Sequence, residues 1–131
     1  MIDKLKNMFA RSNRVKVPTI LQMEAVECGA ASLAMILAGF GLWIPLEKLR
    51  QECGVNRDGS KASNIIKAAR RLGCEAKGYK WNVDKLLDNK PFPMIIHRNF
   101  NHFVVLEGIK GDIAFLNDPA MGRRRVPMEE F

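Results

Sequence analysis

The longest apolar segment of the chain, residues 28–46, contains no charged residue. Its length is sufficient for a membrane span. Gly39, Gly41 and Pro45 interrupt it, however, and such interruptions are typical of a buried helix of about three turns followed by a turn. We therefore predict a core helix over residues 28–38 of a globular domain, ended by one of the two glycines.

Two further helices are predicted from apolar positions at helical spacing. The second helix covers about residues 45–53, opened by a proline and closed by a glycine. It brings Cys53 to its apolar side, where we interpret this residue as a small buried hydrophobe rather than a redox centre. The third helix is capped by Ser60 or Ser63 and ends at Gly73, with apolar residues on one face and basic residues on the other.

After residue 73 the pattern changes to the alternation typical of strands. Helices first and antiparallel strands second predict an α+β fold, in which an N-terminal helical half packs against a C-terminal antiparallel sheet. A Lys110-Gly111 pair predicts a hairpin turn. The pattern predicts one helical turn over residues 83–87 and strands over residues 74–81, 94–97, 102–108, 112–117 and 123–126.

Length and cysteine count limit the class of protein. The 131 residues fit one domain with a core of its own. Three cysteines without a CxxC pair predict neither a disulfide framework nor a zinc site, and two histidines are too few for a metal cluster. We therefore predict no metal, and a reducing compartment.

The net charge of +7 is concentrated at the start of the chain. Residues 1–16 hold five basic residues against one acidic residue, and residues 17–131 contribute only +3. We divide the chain into a basic tail, residues 1–16, and one ordered domain, residues 17–131. A basic tail fits an anionic lipid or nucleic-acid surface, or is simply solvated. No base-stacking platform or recognition helix supports nucleic-acid binding.

Cys28 stands at the predicted start of the core helix. The free amides and the positive end of the helix dipole favour a negative sulfur there. Gln22, six positions earlier, carries a side-chain amide that can donate to a developing oxyanion. A lone cysteine can equally be an inert core residue, so the interpretation depends on whether the chain supplies a base.

Two histidines are available, His97 near the end of one strand and His102 at the start of the next. In an antiparallel hairpin the start of one strand faces the end of its partner, which makes His102 and Asp118 neighbours. An imidazole oriented by a carboxylate is what a thiol nucleophile requires. The spacing therefore predicts Cys28 as nucleophile, His102 as base and Asp118 as orienting acceptor. A structural role for the cysteine and for the histidine remains open.

Three sequence blocks carry a resemblance to a known family. They are Gln22-x5-Cys28-Gly-Ala-Ala-Ser-Leu-Ala, Asn101-His102-Phe-Val-Val-Leu and Asn117-Asp118-Pro-Ala-Met-Gly122. Together they resemble the signature of the C39 peptidases, papain-like domains of bacterial peptidase-containing ABC transporters. The resemblance covers residues 17–131 and implies the same four roles for Gln22, Cys28, His102 and Asp118.

The resemblance further implies a cysteine peptidase that removes the leader of a bacteriocin or lanthipeptide precursor after a double-glycine-type motif. It implies no cofactor for the peptidase domain, ATP use only in the transporter portion, and a place at the cytoplasmic face of the bacterial plasma membrane. The chain ends at residue 131 without a membrane span, so it is either a soluble domain of a longer protein or free-standing, and we interpret it as the former. The alternative is a non-catalytic leader-docking module, which the presence of Cys28 disfavours.

Substrate-binding residues are predicted for two regions. Glycine selectivity requires a narrow channel, for which bulky neighbours of the catalytic residues are candidates. The rest of the leader is expected to bind as an amphipathic helix in an apolar groove. Core packing is the favoured alternative for each groove candidate. The channel candidates are Met23 and Phe103, and the groove candidates are Met35, Trp43, Ile66, Tyr79 and Trp81.

Overall fold

A computed structural model describes residues 14–89, 91–98 and 102–131, and residues 1–13, which hold most of the predicted basic tail, lie outside it. The described residues form helices first and an antiparallel sheet second, which confirms the predicted α+β arrangement. A short 3-10 helix, Ala25–Glu27, precedes the α-helices. The α-helices are α1 (Cys28–Gly39), α2 (Leu46–Glu52), α3 (Ala62–Arg71) and α4 (Val83–Asn89), and the strands are β1 (Met94–Arg98), β2 (His102–Lys110), β3 (Ile113–Asp118) and β4 (Gly122–Pro127).

Helix α1 is the centre of the helical half. Ten of its twelve residues are buried, as expected of a helix that is apolar on all sides. Leu33 and Leu37 pack with side chains from α2, α3 and β2 in one core cluster. Because α1 contacts β2 as well as α2 and α3, it joins the helical half to the sheet.

The sheet is a meander in the order β1-β2-β3-β4, with every neighbouring pair antiparallel. Strand β2 is central and almost entirely buried. The pairing of β2 with β3 shifts between Leu106 and Gly108, a local bulge. Gly111, with φ of 59°, occupies the predicted hairpin turn, where glycine adopts the left-handed conformation without steric strain.

The prediction of a strand over residues 74–81 is wrong. This segment pairs with no strand in the described part of the chain and runs over the helical half instead. Cys74 and Ala76 are half-buried against the helical core while their neighbours face solvent. The alternation therefore reflects an extended segment packed on helices rather than a strand in a sheet.

Two predicted helix starts also need correction. Lys61, rather than Ser60 or Ser63, is the residue that precedes α3, and it makes no capping hydrogen bond through its side chain. Pro45 precedes α2 and is not its first helical residue. In both cases the helix itself lies where the apolar spacing places it.

The N-terminal segment of the described chain lies against the sheet. The Val15 amide donates to the Glu107 carbonyl over 2.7 Å, and the Val17 amide donates to the buried Glu107 carboxylate over 2.9 Å. Arg14 and Arg123 approach the same carboxylate at 3.5 and 3.4 Å. Among the described residues, no helix has the length and hydropathy that a bilayer crossing requires.

Candidate active site

Cys28 is the first residue of α1, and its side chain is buried, with only 5% of the residue exposed. The backbone amide of Phe103 points at the sulfur, with 3.4 Å between nitrogen and Sγ. The Phe103 ring packs against Gly29 and stacks on His97, with 4.5 Å between ring centroids. Strand β2 is therefore fixed directly against the nucleophile candidate.

His102 immediately precedes that contact and is one-third exposed. Its Nε2 lies 2.8 Å from Oδ1 of Asp118, so the predicted proximity of the two residues is confirmed. The Asp118 carboxylate is buried, and its Oδ1 also accepts the Ala120 amide over 2.8 Å. A carboxylate held in this way fixes the orientation of the imidazole.

Sequence reasoning did not identify Arg124 as a neighbour of this pair. Its Nη1 lies 3.6 Å from Oδ2 of Asp118, the oxygen that His102 does not use. Arg124 lies on β4 in a run of three arginines, and Gly122 pairs with Asp118 across β3 and β4. The only signal available in the sequence was the predicted edge strand, which does not show which arginine meets the carboxylate.

Gln22 reaches the site from the segment before α1. Its backbone amide donates to the Pro119 carbonyl over 2.8 Å, which joins this segment to the loop after Asp118. Its side-chain Oε1 is buried and has no hydrogen-bond partner in the described part of the chain. The structure thus brings Gln22, Cys28, His102 and Asp118 to one region.

Three groove candidates lie close together. Gly78 is so near α3 that an added Cβ would lie 2.7 Å from Cδ1 of Ile66. Beyond Gly78, the rings of Tyr79 and Trp81 stack with centroids 4.6 Å apart. Tyr79 is exposed, while Ile66 and Trp81 are half-buried. Trp43 is also exposed.

Met35 does not belong to a surface groove, and its prediction as a groove residue is wrong. It is fully buried, with 0% exposure, and packs with Val17 and Val105 beneath α1. The sequence did not reveal this, because α1 has no polar face to indicate its orientation. Of the two channel candidates, Phe103 lies at the sulfur and Met23 is 84% exposed beside Gln22.

The other two cysteines belong to the core of the helical half. Burial raises the pKa of the Cys53 thiol to about 11, and the nearby Arg71 only partly offsets the effect. Cys53 is fully buried and Cys74 is half-buried. Cys53 is therefore protonated at neutral pH and has the surroundings of a core residue, as predicted.

A cysteine at the start of a core helix, set against a histidine–aspartate pair on an antiparallel sheet, is the arrangement of a papain-like cysteine peptidase domain. A model of the Peptidase C39 family matches residues 16–131, and the chain belongs to this family.

Relatives in the same comparisons agree with this family. The chain is 40% identical over 117 residues to a probable microcin-H47 secretion/processing ATP-binding protein of Escherichia coli, a match covering 89% of this chain and 17% of that protein. It is 39% identical to the colicin V secretion/processing ATP-binding protein of Escherichia coli, covering 88% of this chain and 16% of that protein. The chain therefore spans about one sixth of the length of these relatives.

A solved structure is similar over nearly the whole chain. It is a double glycine motif protease from an AMS/PCAT transporter in complex with the leader peptide, 62% identical, with a TM-score of 0.88, covering 90% of this chain and 84% of that one. The similarity confirms the papain-like fold.

Proposed function

We propose that this domain is a cysteine endopeptidase that removes the leader from a ribosomally made precursor peptide by cutting after a double-glycine-type motif. The observation that carries the proposal is the Cys28 sulfur contacted by the Phe103 amide directly beside the His102–Asp118 pair. The 62% identity to a double glycine motif protease that was solved with the leader peptide supports the choice of substrate.

In the proposed reaction the Cys28 thiolate attacks the scissile carbonyl, and a carbon–sulfur bond forms. The side-chain amide of Gln22 and the Cys28 backbone amide donate to the oxyanion. His102, held through Nε2 by Asp118, uses its other ring nitrogen to give a proton to the leaving amine as the carbon–nitrogen bond breaks. Water then attacks the thioester, His102 takes its proton, and the thiolate returns as the leader is released.

Selection for glycine follows from the crowding around the sulfur. Phe103 is buried between Gly29 and His97, so its position is fixed by packing on both sides. A wall of this kind admits a substrate backbone and rejects side chains. Met23 is exposed next to Gln22, where it would form a flexible second wall.

Two glycines offer little contact area, so the rest of the leader requires a surface of its own. We assign this role to Ile66 on α3, which faces Gly78, and to the stacked rings of Tyr79 and Trp81 that follow Gly78 in the chain. An amphipathic leader helix would place its apolar face there. Trp43 remains a candidate for an extension of this surface.

By analogy with the secretion/processing ATP-binding proteins that it resembles, we place the domain in a bacterial export system. In such a system it would face the cytoplasm beside the transmembrane and ATP-binding parts. ATP would serve transport, and the peptidase chemistry above uses side chains, the Cys28 backbone amide and water.

The test is to incubate the domain with a double-glycine leader peptide and to identify the cut by mass spectrometry. Cys28→Ala should abolish cleavage and leave leader binding within about threefold. His102→Ala should reduce the single-turnover rate more than Asp118→Asn, since an orienting group is more replaceable than the base. Cleavage that persists in Cys28→Ala would refute the nucleophile assignment. Leader binding without any cleavage by the unchanged protein would favour a non-catalytic docking module.

A further inference from the structure

The carboxylate of Glu27 is buried one residue before the nucleophile candidate, with 3% of the residue exposed. Its Oε1 accepts the backbone amides of Met23 and Glu24, over 3.0 and 2.6 Å. The first of these amides belongs to the peptide bond that follows Gln22. One carboxylate therefore fixes the backbone on the C-terminal side of Gln22 to the residue that precedes Cys28.

Arg50 supplies the positive charge that this buried carboxylate requires. It lies on α2, and each of its two terminal nitrogens forms an ion pair with a different acidic residue. Nη1 is 3.4 Å from Oε2 of Glu27, and Nη2 is 3.2 Å from Oε2 of Glu24. The planar guanidinium can hold both carboxylates at once, which a lysine ammonium cannot do with the same geometry.

The position of the Gln22 side chain depends on this backbone. Its Oε1 has no hydrogen-bond partner in the described part of the chain, so the side-chain oxygen is not anchored there directly. The backbone is fixed on one side by the Pro119 carbonyl and on the other by Glu27. An oxyanion donor acts only within a narrow range of distances, about 2.7–3.1 Å, so a small displacement of this backbone matters.

We propose that Glu27 and Arg50 are positioning residues that hold the segment between Gln22 and Cys28 in the geometry for oxyanion stabilisation. The inference rests on the proposed peptidase function. Arg50 acts on the rate through Gln22 and not through contact with the substrate. Helix α2, which otherwise only covers the core, thereby contributes to the geometry of the site through Arg50.

The first measurement does not depend on activity. Hydrogen exchange at the amides of Met23 and Glu24, followed by NMR, should become at least about tenfold faster in Arg50→Gln. The matched control is Arg71→Gln, which also removes one positive charge from an ion pair. Arg71 lies on α3, and its Nε is 3.1 Å from Oε2 of Glu52 on α2. Unchanged exchange in Arg50→Gln would overturn the proposal.

The second measurement is a double-mutant cycle on leader cleavage. Loss of an oxyanion donor lowers kcat by about 10²–10³. Displacement of Gln22 by Arg50→Gln should lower kcat by about tenfold and leave KM within about threefold. In a Gln22→Ala background the same substitution should change kcat by less than about twofold.

A loss of kcat of equal size in both backgrounds would show that Arg50 does not act through Gln22 and would overturn the proposal. Arg50→Lys is the control for a folding defect, because it keeps the charge and should unfold thermally like the unchanged protein. Its kcat should lie between those of the unchanged protein and Arg50→Gln. A kcat for Arg50→Lys equal to that of Arg50→Gln would count against the two-carboxylate geometry. If the unchanged protein does not cleave the leader, the proposed function fails, while hydrogen exchange still decides whether Arg50 holds this segment.

Discussion

Replacing Met35 by alanine separates two assignments that the sequence left open, a core position and a groove position. The side chain is fully buried against Val17 and Val105. Truncation of a buried methionine to alanine lowers the free energy of unfolding by about 2–5 kcal/mol. For a domain of this length, each kcal/mol shifts Tm by about 3–5 °C, so Tm should fall by roughly 6–25 °C.

The assay is thermal unfolding by circular dichroism, together with leader-peptide affinity at a temperature where the variants remain folded. Met35→Leu nearly conserves volume and should lose less than about 1.5 kcal/mol. Trp43→Ala is the exposed control and should change the free energy of unfolding by less than about 0.5 kcal/mol. Leader affinity of folded Met35→Ala should stay within about threefold of the unchanged protein.

The opposite pair of results would refute this reasoning. If Met35 lined a leader groove, Met35→Ala would weaken leader binding at least tenfold while Tm stayed within about 2 °C. That outcome would mean that the burial of Met35 beneath α1 does not hold in solution.

Two further predictions concern stability and reactivity. Because the pKa of Cys53 is raised to about 11, only about one Cys53 thiol in a thousand is ionised at pH 8. In a Cys28→Ala background, iodoacetamide should therefore alkylate Cys53 at least about 100-fold more slowly than Cys74. Equal alkylation rates of the two cysteines by mass spectrometry would contradict the burial of Cys53. In Gly108→Ala the new Cβ would lie 2.6 Å from the Arg14 Cα, so the N-terminal segment must shift away from β2. Trypsin should then cleave after Arg14 at least about fivefold faster. Tryptic cleavage at the wild-type rate would show that the segment does not lie there.

Regular elements were predictable because apolar spacing reports burial directly. The helix from Cys28 was found from its uncharged run, and the proximity of His102 and Asp118 followed from the geometry of a hairpin. The segment over residues 74–81 was not predictable in the same way. An extended chain that packs on helices alternates like a strand, and only its lack of a partner strand distinguishes it.

Long-range ionic contacts were the other limit. Arg50 reaches Glu27 across 23 positions, and Arg124 reaches Asp118 from the next strand. Exposed charges have no periodic signal that names their partners, so these contacts emerge only once the elements are packed. Glu27 did have a local signal, since an acidic residue three positions after Glu24 at a helix start is typical of a capping arrangement.

The hydrogen bond between the Gln22 amide and the Pro119 carbonyl joins positions separated by most of the domain. The nucleophile candidate belongs to the first helix, the histidine to the second strand and the aspartate to the third. A growing chain that has not yet reached β3 therefore holds the thiol and the imidazole without the carboxylate that orients the imidazole. The reactive centre is therefore complete only once β3 has paired with β2.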